Sequence, residues 1–245
     1  MAMESPLAQF EVLPIIALPK LAGVDMSLTN SSGMMLVAVL VATLFFVVGM
    51  RKQAMVPGRA QSLTEVTYQF ALGIVDQNAG HAGRKYFPFI LTLFLLILFM
   101  NLLGMVPYSF TPTSHIIVTF GMSLTVFFGV TAVAIITQGP VAFFKHFVPA
   151  GMPLILVPLI LLIELVSYLA RPLSLSIRLA ANMIAGHTLL KVIAGFVFSM
   201  GIFGIAPLLF STFMIGFEIF IAILQAYVFA LLSTIYLSEA LEDHH

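Results

Sequence analysis

Five long apolar runs constrain this chain more than any other feature. They cover residues 34–50, 87–105, 115–136, 152–200 and 202–237. A helix needs about 20 mostly apolar residues, with a range of about 17–25, to cross the hydrocarbon core of a bilayer. Each of these runs contains at least 17 residues. Only 8% of the 245 residues are charged, against about 25% in a typical soluble domain. The runs exclude a water-soluble fold and predict an all-α polytopic membrane protein with about five membrane helices.

Composition also excludes several classes of function. The formal net charge is zero, so nothing indicates a nucleic-acid partner. The absence of cysteine removes disulfides, thiolate metal sites and a cysteine nucleophile, and neither a metal site nor a cofactor is predicted. The chain contains no H-E-x-x-H and no G-x-S-x-G motif, so an intramembrane hydrolase lacks its parts. The two halves show no similarity, which disfavours a transporter built from repeats.

One further helix, at residues 61–77, is too polar to span. Its sequence, QSLTEVTYQFALGIVDQ, places apolar and polar side chains on opposite faces. The apolar face comprises Leu63, Val66, Phe70, Ile74 and Val75, and the polar face comprises Thr64, Glu65, Thr67 and Gln69. This pattern predicts an amphipathic helix that lies at the membrane interface.

The basic residues predict the orientation in the membrane, because cytoplasmic loops carry an excess of Lys and Arg. Six of them fall on one predicted side, against Lys20 alone on the other: Arg51, Lys52, Arg59, Arg84, Lys85 and Lys145. We therefore expect an extracytoplasmic N-terminal segment, residues 1–30, and a single membrane domain, residues 31–245, whose C-terminus is inside. The N-terminus does not look like a signal or transit peptide. A bacterial inner membrane is therefore favoured, with the mitochondrial inner membrane as the alternative.

The last two apolar runs are longer than a single crossing requires. Residues 152–200 would extend roughly 70 Å as a straight helix, and residues 202–237 about 54 Å. Each run could instead form a hairpin, but neither contains a convincing turn in its middle. We prefer two long, strongly tilted helices (152–200 and 202–238) that follow a curved partner surface.

Polar residues recur on one face of the first long helix. Glu164, Arg171 and Arg178 are spaced by seven residues, and Asn182 follows one turn later. Because successive helical residues turn by about 100°, these four lie on the same side. His187 falls about 180° away from Arg178 and faces the opposite way.

Other polar candidates lie on the final helix and around one loop. Glu218, Gln225 and Tyr236 fall within about 20° of one face of the final helix. Asn101 and His115 flank the loop predicted to lie outside, where they are candidates for an entrance. Ordinary loop and capping roles are the alternative for these two residues.

Most of these residues also have a purely structural interpretation. Arg171 could extend its charge to an interface, or it could pair with Glu164 on the same face. Asn182 and Gln225 are of the types that join membrane helices by hydrogen bonds. His187 could be a core histidine with satisfied hydrogen bonds. The sequence alone leaves these alternatives open.

Arg178 is the hardest of the polar residues to explain structurally. It lies toward the middle of its helix, with no acidic residue three or four positions away. A charge at the centre of a membrane helix costs at least about 2.5–3.5 kcal/mol, so such residues usually face water or a partner's carboxylate. Arginine stays protonated, so it is suited to be a fixed positive barrier.

Two stretches carry a family resemblance. RPLSLSIRLAANMIAGH, residues 171–187, and EIFIAILQAYVFALLSTIYLSEAL, residues 218–241, resemble the two signature helices of subunit a of the F-type ATP synthases. That family forms the membrane stator of a rotary motor. The resemblance covers roughly residues 30–243 and implies that the chain translocates protons without an active site of its own.

The resemblance also implies roles for individual residues. It assigns Arg178 as the essential arginine that faces the ring of c subunits. Asn182, Gln225, His187 and Glu218 would serve the outward half-channel and the ring interface. We therefore expect Glu218 and His187 to lie close together on neighbouring helices.

The inward route and the partners follow from the same resemblance. Glu164 and Arg171 would serve the cytoplasmic half-channel. Protons would enter by one path, travel on a carboxylate of the ring and leave by the other path. The implied partners are the c-ring, b-type subunits of the peripheral stalk and the lipid bilayer.

Overall fold

The computed structural model describes residues 8–16, 27–51, 54–106, 109–146, 153 and 156–241. Lys20, Lys52 and most of the predicted segment 1–30 lie outside the described residues, as does the side chain of Lys145. The orientation that these basic residues predict therefore stays a prediction.

Seven helices form the described part of the chain. They are α1 (Asn30–Met50), α2 (Arg59–Gly83), α3 (Phe87–Gly104), α4 (Ile116–Gln138), α5 (Pro140–His146), α6 (Val157–Ser199) and α7 (Ile205–Leu241). Two short strands, β1 (Pro14–Ile16) and β2 (Leu28–Thr29), pair antiparallel. Five helical segments are long and apolar enough to cross a membrane: α1, α3 as the continuation of α2, α4, α6 and α7. The predicted all-α polytopic architecture is confirmed.

The two C-terminal helices run without a hairpin. Helix α6 contains 43 residues and α7 contains 37, which correspond to about 65 and 56 Å at 1.5 Å per residue. Pro172 lies inside α6 and does not end it, although it removes one backbone hydrogen bond. The preference for two continuous long helices is confirmed, and their tilt in the membrane stays a prediction.

Helix α2 exists as predicted and extends beyond residues 61–77, and its first turns contact the bundle through the predicted polar face rather than the apolar one. Leu63, Val66 and Phe70 are exposed, whereas Thr64, from the predicted polar face, is buried. Thr64 is buried because its side chain is small. Thr64 packs so closely on Gly49 of α1 that a Cβ atom there would lie 2.0 Å from its hydroxyl oxygen.

The hydroxyl group of Thr64 is satisfied inside its own helix, since it donates to the Ala60 carbonyl oxygen at 3.1 Å. Ala71, Ile74 and Val75 continue the buried face toward the core. The exposed apolar side chains on the other face fit a helix that contacts lipid, but its position at the interface stays a prediction.

Helix α7 lies at the centre of the bundle and packs against α2, α3, α4 and α6. Small residues allow this close approach: Ala222, Ala226 and Ala230 are fully buried, and Phe229 fills the space beside them. Helix α6 packs against α4 and α7 and leaves a long row of exposed apolar side chains along its length. The bundle therefore presents one side of α6 to the surrounding membrane or to a partner.

The N-terminal segment returns to the end of the bundle where α6 approaches its C-terminus. The Asn30 side chain accepts a hydrogen bond from the Leu13 backbone at 3.2 Å and donates one to the Glu11 carbonyl at 3.0 Å. These bonds hold the segment beside the start of α1. The Phe10 ring lies parallel to the His187 ring, with 6.4 Å between the ring centroids.

Candidate functional site

Polar side chains join α6 to α7 at three levels. His187 meets Glu218 at one level, Asn182 meets Gln225 at the next, and Arg171 pairs with Glu239 at the third. From the first level to the third, the residue numbers fall along α6 and rise along α7, as expected for two antiparallel helices joined by a short turn. Five candidates of the sequence therefore lie along one helix interface: Arg171, Asn182, His187, Glu218 and Gln225.

The first level is the His187 cluster, which comprises Thr111, His187 and Glu218. His187 Nδ1 lies 2.6 Å from Glu218 Oε1, and His187 Nε2 lies 2.7 Å from the Thr111 hydroxyl oxygen. Glu218 is only 5% exposed, and neither of its carboxylate oxygens receives a hydrogen bond from the described residues, although His187 Nδ1 lies beside Oε1. The expected proximity of His187 and Glu218 is confirmed.

Two glycines allow the His187 cluster to pack this closely. A Cβ atom on Gly186 would lie 2.4 Å from Glu218 Oε1, and one on Gly104 would lie 2.5 Å from the Thr111 hydroxyl oxygen. Contacts under 3.0 Å are not sterically tolerated, so a larger residue at either position would displace a polar group. The glycine beside His187 in the sequence is thus part of the geometry of the pair.

The third level is the Arg171 cluster, which comprises Glu164, Tyr168, Arg171, Tyr236 and Glu239. Arg171 donates a hydrogen bond to Glu239, and its guanidinium lies 5.5 and 5.0 Å from the ring centroids of Tyr168 and Tyr236. The alternative in which Arg171 pairs with Glu164 is therefore not the arrangement found. Cation–π contacts of this kind hold the charge in place where water is scarce.

Water-sized space adjoins the Arg171 cluster. A cavity of about 40 Å³ lies between Glu164, Arg171, Glu239 and the Gln138 side chain, and a second cavity of about 20 Å³ borders Arg171 and Ser123. One water needs about 10–15 Å³ on this measure together with several polar partners. Both cavities are large enough for water, and the first has the polar lining that water requires.

Closely packed apolar residues separate the His187 cluster from the Arg171 cluster inside the bundle. Leu175 and Leu179 of α6 belong to the same buried group as Ala226, Phe229 and Ala230 of α7. All five are at most 1% exposed. These five side chains offer a proton no titratable group between the two clusters.

Arg178 lies between the two clusters along α6. It follows Arg171 by about 10 Å of helix and precedes His187 by about 14 Å. Its side chain is exposed on the bundle surface, and it makes no hydrogen bond or ion pair with any residue that the structure describes. A guanidinium within a membrane-spanning helix usually faces a water-filled path or the carboxylate of another subunit.

The middle level contains one hydrogen bond and one unused donor. Asn182 Nδ2 donates to Gln225 Oε1 at 3.1 Å, whereas Gln225 Nε2 is buried without a partner among the described residues. The bond agrees with the structural interpretation of these residues as helix-joining groups. The unused donor indicates that Gln225 has capacity for another contact.

Asn101 and His115, the entrance candidates, are not brought together as a pair. Asn101 is fully buried, donates to the Ala222 carbonyl oxygen at 3.2 Å and accepts a bond from the Thr113 hydroxyl at 2.7 Å. His115 stacks on Phe110, and its Nε2 has no partner in the described part of the chain. These contacts favour the structural alternative for Asn101, and a role of either residue at an entrance stays a prediction.

Sequence reasoning missed Thr111 and Glu239. Glu239 lies 21 residues after Glu218 and 14 after Gln225, so the seven-residue spacing used for α6 could have identified it on α7. No comparable signal marks Thr111, which reaches His187 from 76 residues away. Among the described residues, no group of three or more His, Asp or Glu side chains is arranged to bind a metal ion.

Comparison with known proteins identifies the family. The family model described as the ATP synthase A chain matches residues 32–238. Relatives named ATP synthase subunit a are 50% identical in a Wolbachia strain from Drosophila simulans (97% of this chain, 99% of the relative) and 48% identical in Pelagibacter ubique (98% and 99%). A third, from Parvibaculum lavamentivorans, is 49% identical and covers 98% of this chain and 94% of the relative. The chain therefore belongs to the ATP synthase A chain family.

Proposed function

We propose that this chain offers protons two offset half-channels, one through the His187 cluster and one through the Arg171 cluster, kept apart by Arg178. Family membership makes the chain the proton-translocating stator component of an F-type ATP synthase, and hence part of a multi-subunit complex. The proposal concerns how its residues carry out that task.

The outward path would end at His187 and Glu218. Both groups exchange protons, whereas the Arg171 guanidinium does not. Glu218 Oε2 lacks a hydrogen-bond partner among the described residues and is available to a proton donor or acceptor. Asn182 and Gln225 lie between this pair and Arg178, which supports a role at the exit toward the partner.

The inward path would pass Glu164 and the water-sized cavity beside Arg171. Glu164 can bind and release a proton, and the cavity of about 40 Å³ can hold the water that carries it onward. The ion pair with Glu239 neutralises the permanent charge of Arg171. A proton passing Glu164 would therefore not meet an uncompensated positive charge.

Arg178 carries the proposal, because it is exposed and unpaired within the described residues while apolar packing closes the interior beside it. A proton that reaches the end of one path must leave the chain to reach the other. A carboxylate on a ring of c subunits is the partner that would carry it. The Arg178 charge would favour the ionised carboxylate and repel a proton that took the direct route.

Further placements accompany this proposal. Residues 31–245 would form a single membrane domain, with the two tilted helices (152–200 and 202–238) against the c-ring and the helix at 61–77 at the interface. Residues 1–30 would be extracytoplasmic, b-type stalk subunits would bind elsewhere on the bundle, and lipid would surround it. The bacterial origin of the relatives supports a bacterial inner membrane, with the mitochondrial inner membrane as the alternative.

The test is ATP-driven proton uptake by inverted vesicles that contain the assembled complex. We expect Arg178→Ala to abolish uptake, because the barrier charge is lost while the helix surface stays intact. Arg84→Ala is the matched control, since Arg84 is an exposed arginine that pairs with Asp76 away from both clusters. We expect this control to pump normally.

Assembly is checked in the same preparation by co-purification of the chain with the c-ring. Normal pumping by assembled Arg178→Ala vesicles would contradict the proposal. Failure of the unmodified chain to co-purify with a c-ring would remove its proposed partner.

A further inference from the structure

The Thr111 hydroxyl group makes two contacts but has only one proton to donate. Its oxygen lies 3.1 Å from the Gly104 carbonyl oxygen and 2.7 Å from His187 Nε2. A carbonyl oxygen can only accept a hydrogen bond, so the first contact requires the hydroxyl proton. Gly104 is the last residue of α3, where carbonyl groups lack partners within the helix and need external donors.

The remaining contact therefore fixes the protonation of His187 Nε2. With its proton directed at Gly104, the Thr111 oxygen offers a lone pair to the imidazole ring. At 2.7 Å, Nε2 must then carry a proton and donate it to this oxygen. The hydrogen bond at one ring nitrogen thus determines the state available to the other nitrogen.

The other ring nitrogen, Nδ1, adjoins Glu218, whose carboxylate oxygens receive no hydrogen bond from the described residues. Nδ1 and Oε1 are 2.6 Å apart, and two bare acceptors would repel at that distance. A proton on one of the two atoms relieves this repulsion and gives either an imidazolium beside a carboxylate or a neutral imidazole beside a carboxylic acid. Both forms are neutral overall, which suits a Glu218 that is only 5% exposed, because a buried net charge is costly.

The elements around the pair contribute three further titratable groups: Glu11 on the N-terminal segment, His115 before α4, and Lys191 one turn further along α6. Within the described residues, none of the three forms an ion pair or hydrogen bond with His187 or Glu218. The proton count of the pair therefore depends mainly on Thr111 and on the two partners themselves.

We propose that Thr111 is a positioning residue that keeps His187 protonated at Nε2, so that the His187–Glu218 pair is neutral and exchanges its transported proton at Glu218 Oε2. A proton that binds at Oε2 gives the pair one positive charge, and its release restores neutrality. The inference rests on the outward path of the proposed function. It adds Thr111 as the residue that sets the protonation of His187 in that path.

The test compares the pH dependence of ATP-driven proton uptake in vesicles that carry Thr111→Val, Thr111→Ser or Ser109→Ala. Valine keeps the size but removes the acceptor for the Nε2 proton, so the protonated pair is weakened. We expect the alkaline limb of the Thr111→Val profile to move to lower pH by about half to one unit, the equivalent of one lost hydrogen bond. Thr111→Ser should restore the original limb.

Ser109→Ala is the matched control. The Ser109 hydroxyl donates to the Leu103 carbonyl oxygen at 2.6 Å, so it bonds to the same end of α3 without contacting His187. We expect its alkaline limb to stay in place. A Thr111→Val limb that coincides with the unmodified one, or an equal shift in Ser109→Ala, would overturn the inference.

A second measurement does not depend on these variants. Solid-state ¹⁵N NMR of the unmodified complex, with the His187 signals assigned by their loss in His187→Gln, should show Nε2 protonated throughout the pH range of pumping. An unprotonated Nε2 would overturn the inference even if Thr111→Val failed to assemble. Loss of pumping in His187→Gln would meanwhile leave the proposed outward path intact, so the two ideas can fail separately.

Discussion

The His187 cluster and the Arg171 cluster both join α6 to α7, but they hold charge in different ways. In the first, two side chains that both titrate meet at 2.6 Å in a nearly closed site. In the second, a permanently charged guanidinium pairs with Glu239 between two aromatic rings. The same helix interface thus contains a proton-binding pair at one level and a fixed ion pair at another.

The two clusters also differ in their surroundings: protein groups contact the first, whereas water-sized cavities adjoin the second. The Phe10 ring lies parallel to the His187 ring, and the Thr111 hydroxyl group contacts His187 Nε2. Protein atoms therefore determine where the protons of His187 lie. The Arg171 cluster adjoins water-sized cavities and is partly exposed. Under the proposed function, a proton would pass the first level from side chain to side chain and the third level through water beside Glu164.

Glu218→Gln is the strongest test of this difference between the two clusters, because it is expected to have the largest effect. The amide keeps the size of the carboxyl group but cannot bind and release a proton, so proton uptake should fall by about 100-fold or more. Uptake by inverted vesicles is the measurement, with Glu65→Gln as the control. Glu65 is an exposed carboxylate on α2 that accepts a bond from Gln61. Substantial pumping by Glu218→Gln would mean that the His187 cluster does not transfer protons.

A smaller effect is expected from Gly186→Ala, which tests geometry without removing a titratable group. The added methyl group would lie 2.4 Å from Glu218 Oε1 and push the carboxylate away from His187. We expect a roughly tenfold loss of uptake from this misplacement. Gly73→Ala on α2 is the control, because nothing lies within 4 Å of a Cβ atom there. Equal behaviour of the two variants would show that the close approach at Gly186 is unimportant.

The effect at the Arg171 cluster should be more moderate. Glu239→Gln leaves Arg171 without its charge partner at a partly exposed site, which should cost about 1 kcal/mol of stability. Thermal unfolding of the purified complex measures this loss. The double variant Arg171→Gln, Glu239→Gln should recover part of it, because no unpaired charge remains. Additive losses in the double variant would show that the two side chains do not interact.

The smallest effect is expected from Asp76→Asn. Asp76 accepts two hydrogen bonds from Arg84 at 2.7 and 2.8 Å, but this ion pair is exposed. Exposed pairs contribute little, since water and salt screen them. Proton uptake and thermal stability should therefore match those of the unmodified complex. A clear loss of uptake would indicate that this ion pair lies in a proton path or at a partner contact.

Much of the fold followed from periodicity and length. The five spans were predicted because apolar runs of about 20 residues have few other solutions in a bilayer. The continuity of α6 followed from the lack of a turn signal, even with Pro172 in its interior. The proximity of His187 and Glu218 follows from the family resemblance of the two helices, since helical spacing alone places His187 on the side opposite Arg178.

The rest depended on contacts between distant parts of the chain. Thr111 reaches His187, and Glu239 reaches Arg171, across 76 and 68 residues of sequence. The buried face of α2 could not be predicted, since hydrophobicity favoured Leu63 whereas close packing on Gly49 selects a small residue. In a membrane, apolar residues are stable on the outside of a bundle, so apolar periodicity alone does not identify the side that faces the protein.

The apolar packing around Leu175, Leu179 and Phe229 has an electrical consequence. Only sixteen residues of α6, about 24 Å, separate Arg171 from His187. If water reaches both clusters, as the proposed function requires, the membrane voltage falls mainly across this short insulating layer rather than across the whole bilayer. The local field is then steeper than the average field, and a charge that crosses this layer gains the full 2.3 kcal/mol per 100 mV. Under the proposed function, this is also where a passing carboxylate would exchange its proton, so the concentrated field would bias the direction in which the partner moves.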